Sequence, residues 1–306
     1  MEEKTLIFGH KNPDTDSICS SLVMEKFDKN LGFDVEAVRL GDVNKETQYV
    51  LNYLGIEAPR LIDEVCEGQA VVLVDHNEFA QSVNGIEKAK IETVVDHHRI
   101  ANFETAEPLY YRAEPVGCTS TILYKKFKEE NMEIEKKEAT LMLSAIVSDT
   151  LLFKSPTCTA EDKKACEELA KIASIDINTY GLDMLKAGTD LSDFTPEELI
   201  NIDSKEFVSG DFKVQVAQVN TACIEDVLQN KVEIEKAMTD FMNQNGSNLF
   251  VLLITDILNS NSQAIVLGDI PVFEKAFNKT VENNMAFLEG VVSRKKQVAP
   301  VILNVL

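Results

Sequence analysis

The chain is poor in the features that mark a membrane protein, a disulfide scaffold or a nucleic-acid binder. Its longest unbroken apolar stretch is Leu249 to Ile254, LFVLLI, far short of the roughly 20 residues that span a bilayer. Six cysteines are scattered with no C-x-x-C pair, a pattern of reduced structural thiols in a cytosolic protein. The opening MEEKTLIFGH is acidic and enters a strand pattern at once, unlike a secretory leader. There are no internal repeats and no low-complexity segment. Positive charge is scarce: 30 Lys and Arg against 51 Asp and Glu give a formal net charge of -21. Such a chain repels nucleic acid and anionic membranes at long range. Neither is expected as a partner, and a cytoplasmic location is expected. An anionic substrate would need positive charge supplied locally, by metal ions or a tight basic cluster.

What is present is a soluble globular composition, 44% apolar and 26% charged over 306 residues, enough for two domains. TLIF (5–8), DVEAVRL (34–40), QAVVLVD (69–75) and IETVVDHH (91–98) read as strands. SICSSLVMEKFDKNLG, ended by Gly32, and KETQYVLNYLG read as the helices between the first three. Helical periodicity then runs from VGCTSTILYKKFKEEN through KKEATLMLSAIVSDT to about Lys186. Alternating β and α with continuously apolar strands predicts an α/β fold, its N-terminal part a doubly wound, mainly parallel sheet. AGTDLSDFTPEEL (187–199) lacks apolar periodicity until its end and reads as a linker. The expected organisation is an N-terminal domain over 1–187, a linker over 188–196, and a smaller C-terminal α/β domain over 197–306. In the latter, FKVQVAQVN is expected as a strand, 222–243 as one long helix, NLFVLLITDIL and QAIVLG as a strand pair, and QVAPVILNVL as a terminal strand.

The chain has only four histidines, His10, His76, His97 and His98, and each sits at the end of an apolar strand pattern beside a carboxylate: IFGHKNPDTD, VVLVDHN and TVVDHH. A lone histidine there is usually structural, and Asp14 or Asp16 alone would read as a helix cap. Four histidines in three such contexts are a different matter, because the carboxyl ends of parallel strands converge. Clustered carboxylates titrate upward unless positive charge sits among them. Histidines with several aspartates suit a five- or six-coordinate ion such as Mn2+, Co2+ or Fe2+ better than Ca2+ or Mg2+. The ligands are too many for one ion, and two ions could activate water and clamp a phosphoryl group. Asp149, after the apolar segment in AIVSDT, is a further candidate. VVSRKKQVAP puts Arg294, Lys295 and Lys296 together, the densest positive spot in the chain and a candidate phosphate binder.

GHKNPDTDS, VLVDHNE, VVDHHR, VSDT and SRKKQ, in this order over essentially the whole chain, resemble the DHH superfamily of phosphoesterases. Within it they are similar to the family II, manganese-dependent inorganic pyrophosphatases. The resemblance implies two domains with the active site in the cleft between them. It implies two Mn2+ per subunit, with Co2+ as a substitute and additional Mg2+ entering with pyrophosphate. His10 and Asp14 would bind one ion, Asp16 and His97 the other, and Asp75 and Asp149 both. A water or hydroxide between the ions would attack phosphorus. His98, Lys205 (in DSKEF), Arg294 and Lys295 would hold the substrate, and His98 could donate a proton. Asp96 and His76 would orient ligands. Members of this length are usually homodimers, and the resemblance implies a homodimer here. The regulatory insertion of some members is absent, and no GGGH-like motif of the nuclease branch is found. A related DHH phosphohydrolase such as an exopolyphosphatase is the alternative reading.

Overall fold

A computed structural model describes residues 4–306. The chain divides into two compact units, up to Gly188 and from Thr189 onward.

The first unit runs β1 (Thr5–Phe8), α1 (Thr15–Asn30), β2 (Val35–Arg39), α2 (Lys45–Leu54), β3 (Arg60–Leu61), β4 (Ala70–Val74), β5 (Lys90–Asp96) and β6 (Tyr110–Ala113). The helices α3 (Thr119–Glu129), α4 (Lys136–Asp149), α5 (Ala160–Ala173) and α6 (Ile177–Gly188) follow. The six strands form one sheet in the order β3-β2-β1-β4-β5-β6, and every pairing is parallel. Strand alternation splits its core in two. Ile7, Val72, Val74 and Val95 face the residues of α1 to α6. Leu6, Phe8, Val71, Leu73 and Val94, with Val38 of β2, pack instead with Ile62, Val83 and Ile86, in a layer of loops and single 3-10 turns. Each such buried aliphatic contributes about 1.5–3 kcal/mol, so the register of the central strands is firmly set.

The strand order places the site. From β1 the chain moves to β2 and β3 on one side, then crosses to β4 on the other. The loops leaving β1 and β4 therefore diverge and open a crevice at the carboxyl ends of these neighbours. The loop after β1 carries His10 and Asp14, and Asp75 directly follows β4.

The second unit contains α7 (Pro196–Leu199), β7 (Ser204–Ser209), β8 (Phe212–Thr221), α8 (Ile224–Leu228), α9 (Lys231–Asn245), β9 (Leu249–Asp256), β10 (Asn261–Gly268), α10 (Ile270–Phe277), β11 (Met285–Leu288) and α11 (Ala299–Leu303). Its sheet has the order β11-β10-β9-β8-β7; only β8 and β9 pair in parallel. β9 is buried on both faces. Phe250, Leu252 and Ile254 pack with Ile234 and Met238 of α9, while Leu249, Val251 and Leu253 pack with Phe273 of α10 and Ile302 of α11.

Two expectations are corrected here. The stretch 222–243 is two helices, α8 and α9, separated at Gln229 and Asn230. The terminal stretch is not a strand: residues 294–298 form a π-helical turn and 299–303 a helix. Pro300 sits in the first turn of that helix, where its missing N–H costs nothing.

Candidate metal centre

The N-terminus of α1 is built of polar residues that are nonetheless buried: Thr15, Asp16, Ser17, Ser20 and Ser21 are fully enclosed. Buried polar groups must find partners, and the hydroxyls of three of them serve carboxylates. Ser17 Oγ donates to Asp75 Oδ2 at 2.7 Å. Ser20 Oγ donates to Asp16 Oδ1 at 2.6 Å, and Thr15 Oγ1 to Glu46 at 2.6 Å. Asp14 is the N-cap of α1, its Oδ1 accepting the Ser17 N–H at 2.9 Å. Capping and ligation are thus not alternatives, because capping uses one oxygen and leaves Oδ2 3.4 Å from His10 Nε2.

Asp16 accepts the backbone N–H groups of Thr119, at 2.7 Å, and Ser120, at 3.3 Å. These are orphan donors at the start of α3, whose own N-cap, Cys118, offers no side-chain bond. Asp75 has φ 59, a left-handed conformation that a short polar residue tolerates. It is 1% exposed. Its Oδ2 lies 3.5 Å from His10 Nε2 and its Oδ1 3.4 Å from His97 Nε2. Both histidines engage Nδ1 with a backbone carbonyl, His10 with Lys11 at 2.7 Å and His97 with Val116 at 3.0 Å. That fixes the ring so that Nε2 faces the carboxylates. Asp149, the last residue of α4, lies 3.9 Å from His97 and beside Asp16 and Cys118. Asp75 is the carboxylate shared between the two histidine-bearing groups, His10–Asp14–Asp75 and Asp75–His97–His98.

The electrostatics favour a cation. Two like charges about 4 Å apart repel by roughly 4 kcal/mol at an effective dielectric of 20. Burial, with the charge of Asp16, pushes the Asp75 carboxyl up to about 7. Burial and the neighbouring Asp16, Asp75 and Asp14 push Asp149 well above the carboxylate range. Burial pulls His10 and His97 down, yet their bonds to Asp14 and Asp75 and the surrounding negative charge outweigh it and lift both to about 9. In the metal-free protein these imidazoliums supply the missing positive charge. The donor set, four carboxylates and two imidazole Nε2 atoms, fits a divalent cation of the Mn2+ type. Cys118 lies in one group with Asp16 and Asp149; burial, then Asp16 and Asp149, drive its thiol far above its ordinary range in the metal-free protein.

His98 stands apart in exposure, with about half its side chain open. Its Nδ1 is held 2.9 Å from Asp96 Oδ1. Asp96 is fully buried, and its other oxygen accepts a bond from Asn77 at 2.7 Å. Asp96 therefore orients His98. His76, expected to orient a ligand, follows Asp75 directly and makes its ring hydrogen bonds outside the cluster. It bonds Val74 O at 2.9 Å and Ser82 Oγ at 3.1 Å, and burial first of all lowers it to about 4.

The basic residues belong to the second unit. Arg294 opens the π-helical turn, and its N–H donates to Gln218 Oε1 at 2.9 Å. Gln218 in turn donates to Val292 O and Thr255 Oγ1, each at 2.9 Å. The Arg294 guanidinium donates from Nε to Asp203 Oδ2 at 2.9 Å and from a second nitrogen to Asp203 Oδ1. One edge of its fork is thereby occupied, and the remaining N–H groups stay available to an anion. Lys205 lies on β7 with its ammonium 5.8 Å from the Phe207 ring centre. Lys295 follows Arg294 in the turn. Sequence reasoning missed Ser17, Thr119, Glu46 and Asp203. The hydroxyls crowded at the start of α1 were the available signal.

Comparison with known proteins agrees with this arrangement. Residues 4–146 match the DHH family, N-terminal domain, and residues 182–305 the DHHA2 domain. A manganese-dependent inorganic pyrophosphatase of Bacillus subtilis is 57% identical over 306 residues, covering 99% of both chains. A protein of Exiguobacterium sp. assigned the same activity is 60% identical over 297 residues, covering 96% of both. The crystal structure of a Methanococcus jannaschii protein assigned to the family II inorganic pyrophosphatases superposes with a TM-score of 0.62 at 42% identity, covering 98% of both. The chain belongs to the family of manganese-dependent, family II inorganic pyrophosphatases.

Proposed function

We propose that this protein hydrolyses inorganic pyrophosphate to two phosphates at the carboxylate–imidazole cluster of its first unit. The observation that carries the reading is Asp75, a buried carboxylate with an imidazole Nε2 near each oxygen. That is the arrangement a ligand shared by two ions requires. His10, Asp14 and Asp75 would hold one Mn2+, and Asp16, Asp75, His97 and Asp149 the other. Asp149 contacting both ions, as the resemblance implies, is less favoured by its place beside Asp16. Two divalent ions, when bound, supply Lewis-acid charge and lower the pKa of the attacking water.

The chain's own groups do the rest. Ser17, Ser20 and the start of α3 hold the aspartates in place. The attacking water oxygen, keeping one proton, bonds to one phosphorus as the bridging P–O bond breaks; the electron pair leaves on the second phosphate, which takes up the water's other proton. His98, held by Asp96, is positioned to donate a hydrogen bond or proton to phosphate. Lys205, Arg294 and Lys295 would take the charge of the departing phosphate. Residues 1–187 would then act as the metal-binding domain, 188–196 as a linker and 197–306 as the substrate-binding domain. Co2+ as a substitute metal, Mg2+ entering with the substrate, a cytoplasmic location and a homodimer belong to the same proposal. No helix among the described residues is long and apolar enough to cross a membrane.

The test is phosphate release by metal-stripped protein reconstituted with Mn2+, from pyrophosphate and from a medium-length polyphosphate side by side. A strong preference for pyrophosphate is expected. Preference for the longer chain would move the assignment to an exopolyphosphatase.

A further inference from the structure

Glu46 is in the first turn of α2, where an acidic side chain ordinarily serves the helix dipole. That role does not account for its contacts. The α2 terminus is already capped, because Asn44 Oδ1 accepts the Thr47 N–H at 2.8 Å. The Glu46 carboxylate points away toward two other helices. Its Oε1 accepts the Thr15 hydroxyl of α1 at 2.6 Å and also the Ser148 hydroxyl of α4. Thr15 lies between Asp14 and Asp16, and Ser148 immediately precedes Asp149. One carboxylate oxygen thus ties together the two helix ends that carry three of the four clustered aspartates. The side chain is also walled in. A Cβ added at Gly188, the last residue of α6, would fall 2.8 Å from Glu46 Cβ and 3.1 Å from Oε2. Glycine there leaves the carboxylate room in its seat.

We propose that Glu46 is a positioning residue for the metal centre: by bonding Thr15 and Ser148 it sets the spacing between Asp14 and Asp16 on α1 and Asp149 on α4. The inference rests on the metal-site reading above. Groups that orient ligands from behind typically change metal affinity by about 10–100-fold when removed.

The test is Mn2+ titration of the metal-stripped full chain, following the resonance signal of free Mn2+, beside thermal unfolding of the metal-free protein. Glu46→Ala should weaken Mn2+ binding by about 10–100-fold. Glu46→Gln, which keeps an acceptor oxygen of the same reach, should lose much less. Ser148→Ala removes one of the two bonds, should show an intermediate loss, and serves if Glu46→Ala does not fold. Unchanged affinity in whichever of these two variants folds overturns the proposal. An equal loss in Glu46→Gln and Glu46→Ala also overturns it, because the effect would then follow charge and not position. Asp16→Asn separates the two levels of the argument. If it binds Mn2+ as tightly as the unmodified protein, the site itself is misassigned and the role of Glu46 falls with it.

Discussion

The two units handle charge in opposite ways. The first gathers negative charge at the carboxyl ends of β1, β4 and β5, inside a shell of hydroxyls and backbone N–H groups. It tolerates that gathering only with protonated histidines or bound cations in the middle. The second carries Arg294 on a π-helical turn, already paired with Asp203 and pinned through Gln218. The difference teaches where preorganisation is costly. An anionic pocket must be neutralised, by bound cations or by protons held on its own histidines, and it is built on parallel strands. A cationic site needs only aim, so a turn and one carboxylate suffice.

The comparison can be broken at several points. Asp75→Asn should have the largest effect, a loss of turnover beyond about 100-fold, since even indirect partners of a metal ligand cost 10–100-fold. Steady-state kinetics with bound Mn2+ counted in parallel decides it, and near-normal activity with a full metal complement would remove Asp75 from its shared position. Arg294→Lys keeps the charge and loses the fork that bonds Asp203 and that, in the proposed function, would also reach phosphate. It should lower kcat/KM for pyrophosphate by about 10–100-fold, the worth of one charge-assisted bond, with Mn2+ affinity unchanged. A fall in Mn2+ affinity would show that the two charge systems are not separable.

The last prediction concerns pH. His10 and His97 are lifted to about 9 without metal. Their stabilising contribution to the metal-free fold is therefore complete below the unfolded value of 6.5 and lost as pH rises through about 9. Mn2+ needs both rings neutral, so its affinity should climb over the same interval, by about tenfold per pH unit for each proton released. Calorimetry in two buffers of different ionisation enthalpy measures that release. Mn2+ binding near neutral pH with no proton release would contradict the account.

Much of this was legible in the sequence, for a physical reason. Strands buried on both faces, such as 71–74 and 249–254, show as apolar runs, and a carboxylate or histidine at the end of such a run stands out. Short edge strands do not: Arg60–Leu61 is exposed, and β6 and β7 carry mixed, half-exposed residues. The run VAPVIL was misread because a short apolar stretch fits a buried strand and a buried helix equally, and only Pro300 spoke for the helix. Asp16 and Asp149 looked like helix-end residues and are helix-end residues. Nothing local reveals that their carboxylates meet. Glu46 was invisible for the same reason, as its partners lie 31 and 102 residues away.

The central claim is that Asp75 sits between two metal sites. The direct measurement is Mn2+ titration of the stripped protein followed by electron paramagnetic resonance of the bound ions. The account predicts two tightly bound Mn2+ per chain, with the spectrum of a magnetically coupled pair that Asp75→Asn uncouples. A single bound ion, or two ions with independent spectra, would contradict it.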